Sequence, residues 1–446
     1  MRSKSMRSVL AAVGAFALLA AGCGGAAAPA STGASGSTGS TSGSASSSAQ
    51  AGSKTVAFDF DYPVGVSGPL ATIMTNLVNQ FNSTHPGIKV TPVFAGSYQQ
   101  TLAKVETGIQ AGNPPPVAVL NHTAVFDLLH LQAIQPLDSI VQQGDFYPAM
   151  LKPEVQGHYW SVPFQRSTVV LYYNKTLFQK AGLNPSHGPT TLSQLVSDAQ
   201  TIQQKTGVTG IEIPSDGTVY WEFQPFAIDQ GSNLAGNNGT TTYFNSPAVE
   251  KGLQFWMDLS HKYKVEPAGI LPWNTVPNDF EAEKTAMIVH SSGSLASILQ
   301  NSKFQVGASF MPKGTATDVT NLGGGDFYLM KGISPSVQTA AITFIKWMTA
   351  PDQAASWSMQ TGYIAVSPAD YKVPAMVAYT KKYPQALVAP AQLQYAEPEL
   401  STYQLNQVQD IFDSAVQSVL DGQSPIKTAL DKAQQQAQAV LAPYKT

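Results

Sequence analysis

The side chains able to do chemistry are few, and their spacing fits binding better than catalysis. Cys23 is the only cysteine, so the chain beyond it carries no disulfide, thiol nucleophile or Cys-ligated metal. The seven histidines are scattered, with no i,i+4 pair of the kind that holds a metal. A glycosidase needs two poised carboxylates, yet Asp59, Asp61, Glu281 and Glu283 stand in no hydrolase motif. No GxSxG elbow, HExxH, Walker A or GxGxxG-after-strand signature occurs in the body. No catalytic residue, metal or cofactor is expected. Two groups of residues do carry binding chemistry. Ser292, Gly293 and Ser294 follow a short apolar run at 286–290 and open a helix, where backbone N–H groups and hydroxyls suit phosphate or sugar hydroxyls. Simple capping of that helix is their plainer role, and both roles can coexist. Tyr98 follows Gly96-Ser97, a turn at the end of a strand, and begins a helix. Ligand contact and burial in the core are its two candidate roles.

The elements that must position these residues alternate. Residues 54–61 switch between apolar and polar and read as a strand. Leu70, Ile73, Met74, Leu77, Val78 and Phe81 share one helical face, which His85-Pro86-Gly87 stops. Strands are expected at 88–94, 117–120, 167–173, 208–213, 286–290 and 327–330. Helices are expected at 97–111, 191–205, 246–263, 336–349, 403–420 and 425–441, with Thr190 or Thr191 capping the second of these. Such alternation predicts a largely parallel sheet covered on both faces.

Composition narrows the class. The chain has 446 residues, of which 43% are hydrophobic, enough for a sizeable core. Twenty-five Lys+Arg against 28 Asp+Glu give a net charge of −3 with no basic stripe, so no nucleic-acid partner is expected. At the N-terminus Arg2, Lys4 and Arg7 precede an apolar run at 9–21, too short for a comfortable membrane span. It ends in Leu19-Ala20-Ala21-Gly22-Cys23, which resembles the lipobox of bacterial lipoproteins, where the cysteine becomes the acylated first residue. The fit has one departure: Ala20 holds the place where that family prefers Leu. From 24 to about 53 the chain is almost wholly Gly, Ala, Ser and Thr, a composition that cannot pack a core. As flexible coil it would reach roughly 30 Å, a suitable tether above a membrane. The expected organisation is a signal peptide at 1–22 and an acylated Cys23 with tether at 23–53. The body would then stand outside the cytoplasm, anchored to the outer face of the cell membrane.

An ordered set of short motifs carries a wider resemblance. Phe94-Ala95-Gly96-Ser97-Tyr98, Gly108-Ile109-Gln110-Ala111-Gly112-Asn113, Val162-Pro163-Phe164 and Leu171-Tyr172-Tyr173-Asn174-Lys175 begin it. Ser291-Ser292-Gly293-Ser294-Leu295-Ala296, Gly323-Gly324-Gly325 and Thr361-Gly362-Tyr363 continue it. The body resembles the bacterial extracellular solute-binding proteins of the maltose-binding class, and within them the glycerol-3-phosphate-binding branch. The resemblance implies an α/β, two-lobed periplasmic-binding-protein fold of class II, with the ligand cleft between the lobes. One lobe would hold 54–163 plus 325–364 and the other 165–322 plus 366–446, crossing near Pro163 and the glycines at 323–325. It further implies a monomer that binds a small molecule by hinge closure and delivers it to the membrane subunits of an ABC permease.

Carried over residue by residue, the resemblance places Tyr98, Ser167, Ser292, Gly293, Ser294, Gly324 and Tyr363 on the ligand, with Arg166 beside Ser167. Tyr220 and Trp221 lie where relatives carry tryptophans that line the cleft; an aromatic face packs on a sugar ring or a choline headgroup. Two departures bear on the ligand. Where the glycerol-3-phosphate branch has a carboxylate in the first lobe, this chain has His122. Where that branch has an arginine near the C-terminal helices, this chain has Ser401 or a neighbour, and no Lys or Arg occurs between Lys382 and Lys427. A phosphate monoester would lose its bidentate partner there unless Arg166 replaced it. The expected ligand is therefore an oligosaccharide or related polyol first, and a glycerophosphodiester second.

Overall fold

The computed structural model describes residues 55–445, apart from 67, 143, 154, 316 and 317. The leader, Cys23 and the whole tether lie outside the described residues. The first strands show why the alternating pattern folds as it does. β1 (Val56–Tyr62) and β2 (Ile88–Phe94) are parallel neighbours joined by the helix Leu70–Thr84, the crossover that adjacent parallel strands need. That helix buries Leu70, Ile73, Met74, Leu77, Val78 and Phe81, the stripe read from the sequence. β3 (Val117–Asn121) joins the other side of β1, also parallel, after the helix Tyr98–Gln110. Phe344, from the helix Pro335–Met348, meets Phe60, Phe81 and Phe327 edge-on at 5.1, 5.1 and 6.0 Å between ring centroids. Each buried phenylalanine contributes about 1.5–3 kcal/mol.

Beyond β3 the sheet is no longer parallel. β4 (Val162–Asn174), β5 (Met287–Ser291), β6 (Val306–Ser309), β7 (Thr320–Leu329) and β8 (Ala396–Pro398) complete it. The order is β2-β1-β3-β7-β4-β5, with β6 on β4 and β8 on β7. β3–β7, β7–β4, β4–β5 and β4–β6 are antiparallel. The expectation of a largely parallel sheet is thus corrected to a mixed one. Strand direction depends on which end of the sheet a connection returns to, and the long helical connection between β4 and β5 records no such choice in its periodicity. The strand expected at 208–213 is reduced to parallel bridges, Thr209 with Thr285 and Glu212 with Ile288.

β4 threads the whole arrangement. Its first half pairs with β7 and its second half, from Val169, with β5 and β6. Pro163 and the glycines at 323–325, expected as crossing points, belong to one antiparallel ladder, in which Arg166 faces Gly324 and Ser167 faces Gly323. A second apolar cluster, with Phe223, Phe244, Trp256 and Phe412, gathers the helices Val219–Asp229, Pro247–His261 and Leu405–Leu420. The described residues belong to one compact unit. No helix among them is long and apolar enough to cross a membrane.

Candidate ligand-binding site

Four local devices aim side chains at one cavity. Gly96, at φ +90°, turns the chain out of β2. Ser97 then caps the next helix reciprocally: its Oγ accepts from Gln100 N at 3.3 Å, and its own N–H donates to Gln100 Oε1 at 2.9 Å. The first helical residue, Tyr98, is held against Gly65, where an added Cβ would lie 2.6 Å from the ring, and its hydroxyl donates to Gln165 Oε1 at 3.2 Å. The β4/β7 ladder supplies Ser167 and Gly324. Gly324 has φ +96°, and a Cβ there would collide with the Gln165 carbonyl oxygen, so only glycine permits this approach.

The helix Val219–Asp229 brings Tyr220 and Trp221. Tyr220 N–H donates to Asp413 Oδ1 at 2.7 Å, and the Trp221 carbonyl accepts from Asn321 Nδ2 at 3.0 Å. Trp273 stands 6.4 Å from the Trp221 ring at 56°, and His290 packs on Trp273 at 4.2 Å. Tyr363 follows the left-handed Gly362, and its ring stacks on Trp357 at 6.0 Å and 14°.

These side chains meet at a cavity of about 410 Å³. Of the residues expected on a ligand, the structure brings Tyr98, Ser167, Tyr220, Trp221, Gly324 and Tyr363 to its wall. His122, Arg166, Ser292, Gly293 and Ser294 lie outside the wall. The polar groups of the serine turn are engaged within the protein. Ser292 Oγ accepts from Thr168 N at 3.2 Å, Ser294 Oγ pairs with His290 Nδ1 at 3.1 Å, and Gly293 N–H donates to Ser291 Oγ at 3.1 Å. Ser291 is the member of that run which lines the cavity. Arg166 is fully buried, and its Nη1 meets Asp326 Oδ1 at 2.8 Å, while Asp326 Oδ2 accepts from Ser161. Arg166 Nε and Nη2 have no hydrogen-bond partner among the described residues, but the side chain lies outside the wall, so the geometry does not place this guanidinium where the missing C-terminal arginine would meet a ligand.

Sequence reasoning missed Glu399, Trp273, Asn121 and Phe94, which also line the cavity. Glu399 comes from the loop after β8, where no periodicity gives a direction to any side chain. Its Oε1 accepts from Tyr220 Oη at 2.7 Å and from Asn121 Nδ2 at 3.2 Å; Oε2 has no hydrogen-bond partner among the described residues. Burial pushes this carboxyl up to about 7, against the pull of the Tyr220 and Asn121 hydrogen bonds and the Arg166 charge. His122 Nδ1 stands 3.2 Å from the Gly324 carbonyl and 3.5 Å from Glu399 Oε2. Burial first and the Arg166 charge second hold that imidazole well below its ordinary range, so it is neutral and the contact is not an ion pair. Burial raises the Tyr98, Tyr220 and Tyr363 phenols, Tyr363 to about 12, so all are uncharged donors and acceptors near neutral pH.

Among the described residues the wall holds no Lys, Arg or His, and Glu399 is its one carboxyl group. Hydroxyls, amides and indole faces around a preformed cavity of this volume can hold a small polar molecule by hydrogen bonds on its edges and stacking on its faces.

Fold and cavity together are those of a solute-binding protein. The chain belongs to the bacterial extracellular solute-binding proteins, whose family model matches residues 76–387. It is the solute-binding component of an ABC importer, in a family that works with a small-molecule ligand and a permease. Its relatives are extracellular or periplasmic binding proteins rather than enzymes. It is 28% identical over 411 residues to the sn-glycerol-3-phosphate-binding periplasmic protein UgpB of Pectobacterium atrosepticum, covering 86% of this chain and 91% of that one. Among solved structures it is similar to UgpB from Mycobacterium tuberculosis in complex with glycerophosphocholine, with TM-score 0.77, 24% identity and coverage of 89% and 100%. It is also similar to maltose-bound T. maritima MalE3, with TM-score 0.75, 21% identity and coverage of 86% and 99%. These likenesses give the mixed α/β fold of the periplasmic binding proteins.

Proposed function

We propose that this chain captures a neutral polyol, an oligosaccharide first, and hands it unchanged to its permease. The observation that carries this reading is the cavity wall: hydroxyls and amides with the indoles of Trp221 and Trp273, and among the described residues no cationic side chain. Such a wall serves the edges and faces of a sugar ring. It does little for the phosphate of glycerol 3-phosphate, the ligand named for the relatives at 28% identity. A charge-assisted bidentate bond is worth roughly 1.5–3 kcal/mol, so its absence weakens a phosphate monoester about tenfold or more.

A second reading has one observation in its favour. Two indoles beside the Glu399 carboxyl also suit a quaternary ammonium, and a structural relative holds glycerophosphocholine. Titration calorimetry on the mature protein separates the readings. Maltose and other oligosaccharides, glycerophosphocholine and glycerol 3-phosphate are compared at one pH and salt. Tightest binding to a sugar is expected; tightest binding to glycerol 3-phosphate would sink the proposal, and binding to glycerophosphocholine without any sugar would replace it by the second reading.

The wider organisation follows the same proposal. Residues 54–163 plus 325–364 form one lobe and 165–322 plus 366–446 the other, closing over the cavity about the β4/β7 ladder. Cys23 carries the lipid that holds the monomer at the outer face of the membrane, on the tether at 23–53. Ligand contact is assigned to Tyr98, Ser167, Tyr220, Trp221, Gly324 and Tyr363, with Glu399 and Trp273 added.

A further inference from the structure

The cavity has an unusual charge arrangement. One carboxyl stands in its wall, no cationic side chain among the described residues lines it, and Arg166, whose charge acts on Glu399, lies outside the wall. Arg166 is paired with Asp326 at 2.8 Å and both are buried. His122 is neutral. Both groups bonded to Glu399, Tyr220 Oη and Asn121 Nδ2, are neutral donors to Oε1, which favour the carboxylate without cancelling its charge. Oε2 has no hydrogen-bond partner among the described residues.

We propose that Glu399 is the residue that sets the charge selectivity of this cavity, excluding ligands with net negative charge and admitting neutral or cation-bearing ones. This rests on the reading of the cavity as the ligand site. A ligand entering the cavity displaces water, so a charge on it meets the carboxylate with little screening. Across several ångströms the ionised carboxylate repels a dianion strongly, but a carboxyl titrating at about 7 can be protonated instead, so the exclusion relative to a neutral molecule of the same shape reaches about tenfold at pH 8. The exclusion is proton-linked. The ionisable or charged groups around Glu399 are Tyr220, His122, Tyr98, Arg166 and Glu222. Burial keeps the phenols and His122 uncharged and raises Glu222 well above the ordinary carboxyl range, while Arg166 is held in its ion pair with Asp326. As pH rises through about 7, Glu399 loses its proton and repels anions more strongly.

The test is calorimetry at pH 8 with glycerol 3-phosphate on the mature wild-type protein and Glu399→Gln, an isosteric change that keeps an acceptor for Tyr220 and Asn121. The expected result is a glycerol 3-phosphate affinity about tenfold tighter in the variant, while no neutral sugar gains affinity. Equal affinities in the two proteins, or no detectable binding in either, would overturn the inference. Failure of every neutral sugar and of glycerophosphocholine to bind wild type, with glycerol 3-phosphate binding tightly, would instead overturn the proposed function. Thermal melting confirms that the variant folds. A second measurement needs no variant: a sulfate monoester of glycerol, which keeps its single charge, is titrated into wild type at pH 6 and pH 8. For a group titrating at about 7, binding is expected to weaken up to about tenfold between these values. A flat profile would count against Glu399 as the selecting group.

Discussion

Trp221 and Asp326 show how differently two buried side chains at one site act. Trp221 lines the cavity, and its Nε1 has no hydrogen-bond partner among the described residues. Trp221→Ala removes ring area and stacking worth about 1.5–3 kcal/mol. The ligand identified by calorimetry is therefore expected to bind about tenfold to a hundredfold more weakly, and an unchanged Kd would remove the indole from the site. Asp326 acts behind the wall, by neutralising Arg166. Asp326→Ala leaves a buried guanidinium unpaired, which costs about 3–5 kcal/mol. Urea denaturation reads this as a lower midpoint with an unchanged slope. A loss below about 1 kcal/mol would mean that the pair is solvated rather than sealed. Neither role could be told from composition, since Trp221 and Arg166 both looked like ligand contacts and only one reaches the cavity.

Between residues and fold, short backbone devices decide where side chains point. Gly112 and Gly324 both have positive φ, +72° and +96°, but a Cβ on Gly112 would meet nothing within 4 Å while one on Gly324 would strike the Gln165 carbonyl. Gly112→Ala is therefore expected to cost about 1 kcal/mol of backbone strain. Gly324→Ala is expected to cost about 2 kcal/mol or more, because it must also part β4 from β7. Chemical denaturation of the two variants side by side checks the order, and equal losses would argue against the close ladder. Helix ends were legible beforehand for the same local reason. Thr191 caps Leu192–Thr206 and Ser246 caps Pro247–His261, each by accepting from an N–H three residues on.

At the scale of the whole molecule, the cavity lies against the ladder at which the proposed lobes join. Hinge closure over a ligand predicts a measurable fall in the radius of gyration by small-angle scattering when a binding ligand is added. A ligand with confirmed affinity that leaves the curve unchanged would refute closure from an open state. The anchor has its own test. Cys23→Ala is expected to leave the protein uncleaved or to release it from the membrane fraction, and unchanged processing and retention would refute the lipoprotein assignment.

By itself the sequence determined what depends on near neighbours. The stripe from Leu70 to Phe81, the cap at Thr190 or Thr191 and the turn before Tyr98 are set by spacings of a few residues; the stripe and the turn stand as read, and of the two threonines Thr191 is the cap. Motif order carried the family, and with it six of the residues that meet at the cavity, because relatives of one fold keep corresponding positions. Only the tertiary structure decided the strand directions beyond β3, the engagement of Ser292 and Ser294 inside the protein, the pairing of Arg166 with Asp326, and the arrival of Glu399 beside Asn121 and Tyr220. Asn121 and Glu399 are 278 residues apart in the chain. A contact over that distance leaves no local periodicity, and a buried charge finds its partner only when the strands that carry it are laid side by side.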